Sequence, residues 1–457
     1  MAIPYRVQNP TTNEIVESFD FITDDELDNA VATAHKAFGT WSVASLEDRA
    51  AVLHKVADLF DAQRDELSKI IAEEMGKSLP EGDAEINDVV DIFNYYADHG
   101  AELLADEPLE TTGGAAVVRK VPLGVIVGVM PWNYPYYQVA RFVAPTLMAG
   151  NTVLLKHAEI CPRSSQKIQE IIEEAGAPEG VFINIYADHD QIETLIGDKR
   201  VQGVSLTGSE RAGRSVAATA GKNLKKAVLE LGGTDPYVIL DTDDVAESAK
   251  VAWEKRISNT GQACTSNKRI IVMEDIYDDF VKEMVRIAES YTKGDPMNPQ
   301  EGQYFPLSSR TAAENLVKQV QSAVEAGATL HTGGEQVGDG AYFTPAVLTG
   351  IPVGSDPYYE EFFGPVAEIY KVSSDEEAIE LANDSNHGLS GAVFSTDEER
   401  AKKVANRIET GMIHVNIPQA RGAELPFGGV KNSGFGRELG PLGIEEFVNK
   451  QRYYVAE

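Results

Sequence analysis

In the stretch Gly203-Val204-Ser205-Leu206-Thr207-Gly208-Ser209, an apolar run too short for a helix meets a glycine turn, and a helical pattern through Gly213 to Ala220 follows. A short buried strand feeding a helix is half of a βαβ unit, and this reading decides the fold. The N-terminus of such a helix offers free amides and the positive end of a dipole, suited to a pyrophosphate. The Gly-x-Gly-x-x-Gly fingerprint is absent, so the same residues also fit an ordinary glycine-assisted turn.

The pattern repeats outward from this stretch. Val125–Val129, Thr152–Leu155, Val181–Ile185 and Ala227–Leu229 are strand candidates separated by amphipathic helices and by turns such as Gly176-Ala177-Pro178. A second run follows Gly233, with strand candidates Pro236–Leu240, Ile270–Met273, Val366–Val372, Gly391–Phe394 and Met412–Asn416. Helices are expected between them, around Phe280–Ser290 and Glu376–Asn383. Short buried strands alternating with helices predict parallel sheets with right-handed crossovers. No long linker separates the two runs, so they are expected to pack directly, with a site at their junction.

Ahead of these runs the chain is helical after a short strand pair. Thr23-Asp24-Asp25-Glu26 has capping-box spacing, and Leu27, Val31, Ala34 and Phe38 share one helical face. Ser45 is expected to open a second helix, with Val52, Val56, Leu59 and Phe60 inward, and a third spans Glu85 to Tyr96. Thr112-Gly113-Gly114-Ala115 has the composition of a hairpin turn between β-prone runs.

A chain of 457 residues suggests two or three domains. The 72 acidic against 40 basic residues give a net charge of -32, which repels nucleic acid and anionic membranes. The acidity fits a high-salt habitat or simply an acidic enzyme. With only Cys161 and Cys264 there is no disulfide framework, and Met1-Ala2-Ile3-Pro4-Tyr5-Arg6 has no apolar signal segment. The expected setting is cytoplasmic, and no metal site is expected.

Four stretches carry chemistry. Cys264 follows Asn259-Thr260-Gly261-Gln262-Ala263, a loop whose backbone can approach a ligand closely. Glu230 ends a strand before Gly232-Gly233; in a partly dry cleft such a carboxylate acts as a base. Asn133, in Pro131-Trp132-Asn133, offers an amide to a developing oxyanion. Lys156 and Glu159 follow a strand's C-terminal end, where ribose hydroxyls bind. Each has a plainer reading taken singly: a buried thiol, a solvated strand end, a turn former, a surface ion pair.

Together these stretches resemble the NAD(P)-dependent aldehyde dehydrogenases over nearly the whole chain. The resemblance rests on Trp132-Asn133, Lys156-x-x-Glu159, Thr207-Gly208-Ser209, Glu230-Leu231-Gly232-Gly233, Gly261-Gln262-x-Cys264, Glu361-x-Phe363-Gly364-Pro365 and Pro426-Phe427-Gly428-Gly429. The stretch Lys431–Glu438 is most similar to the bacterial succinate-semialdehyde branch.

The resemblance implies roles. Cys264 attacks the aldehyde carbon, Asn133 and the Cys264 N–H hold the oxyanion, hydride loss leaves a thioester, and Glu230 activates the hydrolytic water. Trp132, Lys156, Glu159, Gly208, Ser209, Glu361 and Phe363 bind the cofactor. NAD is expected ahead of NADP, because the Glu159 charge opposes a 2′-phosphate.

The implied fold is α/β, with two Rossmann-like parallel-sheet domains and a small β oligomerisation element. Residues 1–103 and 123–231 would form the cofactor domain, 232–440 the catalytic domain, and 104–122 with 441–457 the oligomerisation element of a homodimer or homotetramer. Arg141 matches one basic residue that binds a substrate carboxylate. The position of a second is Ser258 here, so Arg421 is expected to replace it. Ser266 stands where some relatives have a second cysteine, so no regulatory disulfide can close. Three other readings remain: a dehydrogenase for another small polar aldehyde, a non-catalytic relative, and a cofactor-free thiol hydrolase.

Overall fold

The computed structural model describes residues 4–456, so residues 1–3 of the N-terminal stretch read above lie outside it. Local signals set the first helices. Thr23 accepts from Glu26 N and Glu26 reaches back to Thr23 N, a reciprocal cap that starts the helix Asp24–Trp41. Ser45 caps Leu46–Ala62 by accepting from Asp48 N, without a reciprocal bond. The third expected helix is longer than the sequence suggested, Leu79–Leu103, and Arg64–Met75 forms one more before it. The strand pair ahead of them is Tyr5–Gln8 against Ile15–Phe19.

The strands Val125–Val129, Thr152–Lys156, Phe182–Asn184, Val201–Thr207 and Lys226–Glu230 form one parallel sheet. Its order is Gly434–Phe435, Lys226–Glu230, Val201–Thr207, Val125–Val129, Thr152–Lys156, Phe182–Asn184. Gly434–Phe435 is the antiparallel member, returning from the far end of the chain to pair with Glu230 and Leu229. Chain order reverses between Val125–Val129 and Val201–Thr207, so a crevice opens beyond their C-terminal ends. The segments leaving those ends are Met130–Asn133 and Gly208–Ser209, both chemistry-bearing stretches.

A second sheet runs Thr329–Thr332, Ala346–Thr349, Val366–Val372, Arg269–Met273, Pro236–Ile239, Ala392–Phe394, His414–Val415, and is parallel except at its first strand. Thr329–Thr332 and Ala346–Thr349 were not anticipated: the first is a polar edge and the second only four residues long. Leu231–Asp235 leads from the C-terminal edge of the first sheet to the N-terminal edge of the second. The Cys264 loop and Phe362–Pro365 also enter the second sheet at that edge, so the two sheets face each other across one junction.

The hairpin reading also holds. Ala115–Pro122 pairs with Glu107–Leu109 and, along its whole length, with Val448–Val455. Among the described residues no helix is long and apolar enough to cross a membrane.

Candidate active site

The helix Val245–Ile257 ends before a loop with unusual backbone. Asn259, Thr260 and Gly261 have φ of 51°, 52° and 74°, three left-handed residues in succession. For the two that are not glycine this costs about 1–3 kcal/mol each, and it persists only where surroundings over-determine it. They do so here. Asn259 N donates to Glu81 Oε1 at 2.6 Å, and Asn259 Nδ2 to Asn133 O at 2.9 Å. Gln262 Oε1 accepts from Ser308 N at 2.9 Å. The buried Arg256 donates to Ser266 Oγ at 2.9 Å and Phe362 O at 2.8 Å. A side chain at Gly261 would meet Gly364 O at 2.3 Å, so only glycine fits.

This loop carries Cys264, which is half-buried and free. Burial pushes its thiol up to about 11, while the Arg141 and Lys268 charges pull it back. Lys268 Nζ also donates to Ala263 O at 2.8 Å and Cys264 O at 2.9 Å, and pairs with Glu361 at 2.8 Å. One ammonium thereby fixes the Cys264 backbone and the Glu361 carboxylate. Sequence reasoning passed over Lys268, which reads as one more basic residue before a strand.

Asn133 is buried beside this loop and donates from Nδ2 to Gln262 O at 3.1 Å. Gln138 Nε2 donates to Asn133 Oδ1 at 3.4 Å and sets the amide's orientation. An amide has two N–H groups, so one is left free for an oxygen held beside Cys264.

Glu230 is 2% exposed, and neither of its carboxylate oxygens has a hydrogen-bond partner. Burial, then the nearby Glu438, hold its pKa well above the usual carboxylate range; Arg141 and Arg437 oppose them. An orphaned buried carboxyl next to an open site is a candidate for proton transfer. Arg141, expected to bind a substrate carboxylate, is itself buried. Its Nε lies 2.7 Å from Glu438 Oε2, and its guanidinium sits 4.0 Å from the Phe427 ring centre. Its Nη2 has no hydrogen-bond partner, so the group keeps free donors. Glu438 is a second residue that sequence reading missed, because its partner is distant in the chain.

On the other side of the junction lies a cavity of about 290 Å³, walled by Val129, Leu206, Ile192 and Val216, with Lys156 and Arg211 at its polar rim. Lys156 Nζ is 2.6 Å from Glu159 Oε1, and His189 Nε2 is 3.7 Å from the same oxygen. Ser209 caps the helix Glu210–Lys222 by accepting from Ala212 N at 3.3 Å. Trp132 and Phe363 meet edge to face with centroids 5.7 Å apart. Glu361 Oε1 accepts from Gly233 N at 3.2 Å, and a side chain at Gly232 would meet Glu361 Oε2 at 2.6 Å. An apolar slot for a flat ring, a carboxylate for ribose hydroxyls and a helix N-terminus for phosphates fit a dinucleotide. Gly208 brings its backbone to the same crevice, with Gly208 N bonded to Glu230 O at 2.9 Å.

A smaller cavity of about 30 Å³ opens directly beside Cys264, and Thr265, Tyr134, Arg141, Gln419 and Arg421 share its wall. Arg421 is exposed, its Nη1 3.6 Å from Asp88. The structure therefore brings Cys264, Asn133, Glu230 and Arg141 to one junction, with Arg421 at its mouth.

Comparisons with known proteins identify the family. Residues 3–452 match the sequence profile of the Aldehyde dehydrogenase family. Over 98% of the chain and 94% of the relative, it is 45% identical to the succinate-semialdehyde dehydrogenase [NADP(+)] of Deinococcus radiodurans. It is 40% identical to succinate-semialdehyde dehydrogenase [NADP(+)] 1 of Mycobacterium ulcerans, over 99% of this chain and all of that one. A crystal structure of succinic semialdehyde dehydrogenase from Streptococcus pyogenes with NADP+ superposes with a TM-score of 0.96 at 46% identity, over 99% of this chain and 100% of that one. The chain belongs to the aldehyde dehydrogenase family.

Proposed function

We propose that this protein oxidises an aldehyde to a carboxylic acid, with succinate semialdehyde as its substrate. The observation that carries the reading is the cavity that Cys264 shares with two guanidinium groups, Arg141 and Arg421, beside a loop to which the Asn133 amide is bonded. The names of the two curated relatives support the substrate. A carboxylate leaving water needs such partners to offset its desolvation.

Cys264 Sγ loses its proton to water in the open pocket, favoured by the Arg141 and Lys268 charges, and adds to the aldehyde carbon. The free N–H of Asn133 and the backbone N–H of Cys264 take the oxyanion. When bound, a nicotinamide dinucleotide supplies the hydride acceptor that converts the adduct to a thioester. Glu230 takes a proton from the water that hydrolyses it; the desolvated carboxyl has the raised pKa that suits a base.

Trp132, Lys156, Glu159, Gly208, Ser209, Glu361 and Phe363 would hold the dinucleotide. NAD is preferred and NADP accepted: Glu159 opposes a 2′-phosphate, while Lys156 and Arg211 offset part of that charge. The first sheet with residues 1–103 and 123–231 serves the cofactor and 232–440 the catalysis. The stretches 104–122 and 441–457, through the sheet of Glu107–Leu109, Ala115–Pro122 and Val448–Val455, would join copies of the chain. A panel of acidic and uncharged aldehydes with each cofactor, read by reduced-cofactor absorbance, tests the assignment. The highest kcat/KM should fall on succinate semialdehyde, and preference for an uncharged aldehyde of equal length would overturn the substrate.

A further inference from the structure

Lys255 lies in the last turn of the helix Val245–Ile257, partly buried behind the Cys264 pocket. Its ammonium donates to Gln419 Oε1, and Thr265 Oγ1 lies 3.5 Å from the same oxygen. Gln419 and Thr265 both line the pocket, together with Arg421. With its oxygen held from behind, Gln419 has its Nε2 without an acceptor among the described residues.

The groups facing Lys255 come from every side. Arg421, Lys268 and His414 disfavour its charge; Asp235 and the Cys264 thiol favour it. Asp235 is the nearby carboxyl, but it accepts from Ser390 N at 3.1 Å and faces Lys268 as well. Lys255 makes no ion pair among the described residues. The back of the pocket thus holds a cation whose one hydrogen bond goes to a neutral amide, and a second cation, Arg421, stands at the mouth. A partly buried charge in this position either gives up its proton or awaits an anion.

We propose that Lys255 is a specificity-determining positioning residue, which acts through Gln419 to hold the far carboxylate of an acidic aldehyde in the Cys264 pocket. The inference rests on the acidic-aldehyde reading above. It places a second cation, besides Arg421, on the helix turn before Ser258. Burial, followed by the Arg421 charge, lowers the Lys255 ammonium to about 7. Below that pH the cation is present and the carboxylate binds; above it the charge is lost, so KM for the acidic aldehyde climbs as pH rises.

The test compares succinate semialdehyde with butanal across pH 6–9 in wild type, Lys255→Met, Lys255→Arg and Gln419→Leu (the pH range is about one unit or more either side of the shifted group). Lys255→Met should raise KM for succinate semialdehyde by about tenfold near neutral pH, with kcat and the butanal constants within about twofold. Its KM should also lose the rise with pH. Lys255→Arg should keep the low KM and flatten the profile, because guanidinium does not titrate there. Gln419→Leu should repeat the loss of selectivity with the lysine intact. An unchanged ratio of the two aldehydes in Lys255→Met, or a rise with pH that survives in it, would overturn the proposal; the latter would point to Asp235. The acidic-aldehyde reading fails on a separate observation, a wild-type preference for butanal.

Discussion

On the dinucleotide side the junction holds about 290 Å³ of space between apolar strands and helices, and its lining lysine, Lys156, is already paired to the neighbouring Glu159. Beside Cys264 there is about 30 Å³, and the charged groups around it are incompletely matched: Arg141 has a free donor, Arg421 is 3.6 Å from its partner, and Glu230 has none. The first side is prepared by shape and the second by charge. Shape tolerates either of two related ligands at modest difference in affinity. Unmatched buried charge discriminates strongly, because a ligand that lacks the complement leaves those groups unpaired.

The sharpest way to separate the two sides is Cys264→Ala. Dehydrogenase activity should be abolished, since the covalent step is gone. Dinucleotide binding, followed by fluorescence titration, should stay within about twofold, because the cofactor side does not depend on the thiol. Turnover that persists would place the nucleophile elsewhere; lost cofactor binding would show that the two sides are one unit.

Asn133→Ala ranks next. Removing one oxyanion donor should lower kcat by about 10²–10³. The amide also donates to Gln262 O, so some of the loss could come from a relaxed loop. Circular dichroism and cofactor titration should be unchanged if the loop holds through Asn259 and Ser308. A kcat within a few-fold of wild type would show that the oxyanion is held by backbone alone.

The two arginines then test whether charge on the substrate side is one property or two. Arg141 is paired to Glu438 and faces Glu230. Arg141→Ala leaves two buried carboxyls without the cation that opposes their protonation. It should destabilise the fold by about 3–5 kcal/mol and lower kcat for acidic and uncharged aldehydes alike, and through the lost free donor it should also raise KM for the acidic one. Arg421→Ala removes an exposed cation. It should raise KM for succinate semialdehyde alone, by less than a buried pair would, with no change in melting temperature. Equal behaviour of the two variants would erase this distinction.

How much of this was legible in the sequence divides along the same line. The strand ends, the Cys264 loop and the Glu361–Pro365 stretch are contiguous runs whose chemistry sits within a few residues, so order and composition expose them. The parallel strands were legible because most of their residues are buried and apolar, whereas Thr329–Thr332 and Ala346–Thr349 were too short or too polar to stand out. Lys268, Glu438 and Lys255 were not legible. Each takes its role from a partner brought near by folding: Glu361, Arg141 and Gln419 respectively. Arg141 was found by its position after Asn133, but its pairing with Glu438 could not be read from a single chain. Gly434–Phe435 shows the same limit in the fold, since two residues give no strand signal until Lys226–Glu230 offers an edge.

The smallest expected effect is on the cofactor side, and it asks whether shape alone governs there. Glu159 lies 2.6 Å from Lys156 and 3.7 Å from His189, so its charge is partly spent before any ribose arrives. A 2′-phosphate would meet that carboxylate, but it would also meet Lys156 and Arg211 at the cavity rim. The repulsion is therefore screened, and the wild-type preference for NAD should be modest. Glu159→Ser removes the carboxylate and frees Lys156 as a phosphate partner. The ratio of kcat/KM for NADP over NAD should rise about tenfold, the effect of roughly 1.4 kcal/mol. Most of that change should lie in the KM for NADP, with kcat nearly constant, because the adenosine end does not touch the reacting atoms. A wild-type enzyme that already favours NADP would mean that Lys156 and Arg211 outweigh Glu159. A ratio unmoved by the substitution would mean that the carboxylate does not face the ribose at all.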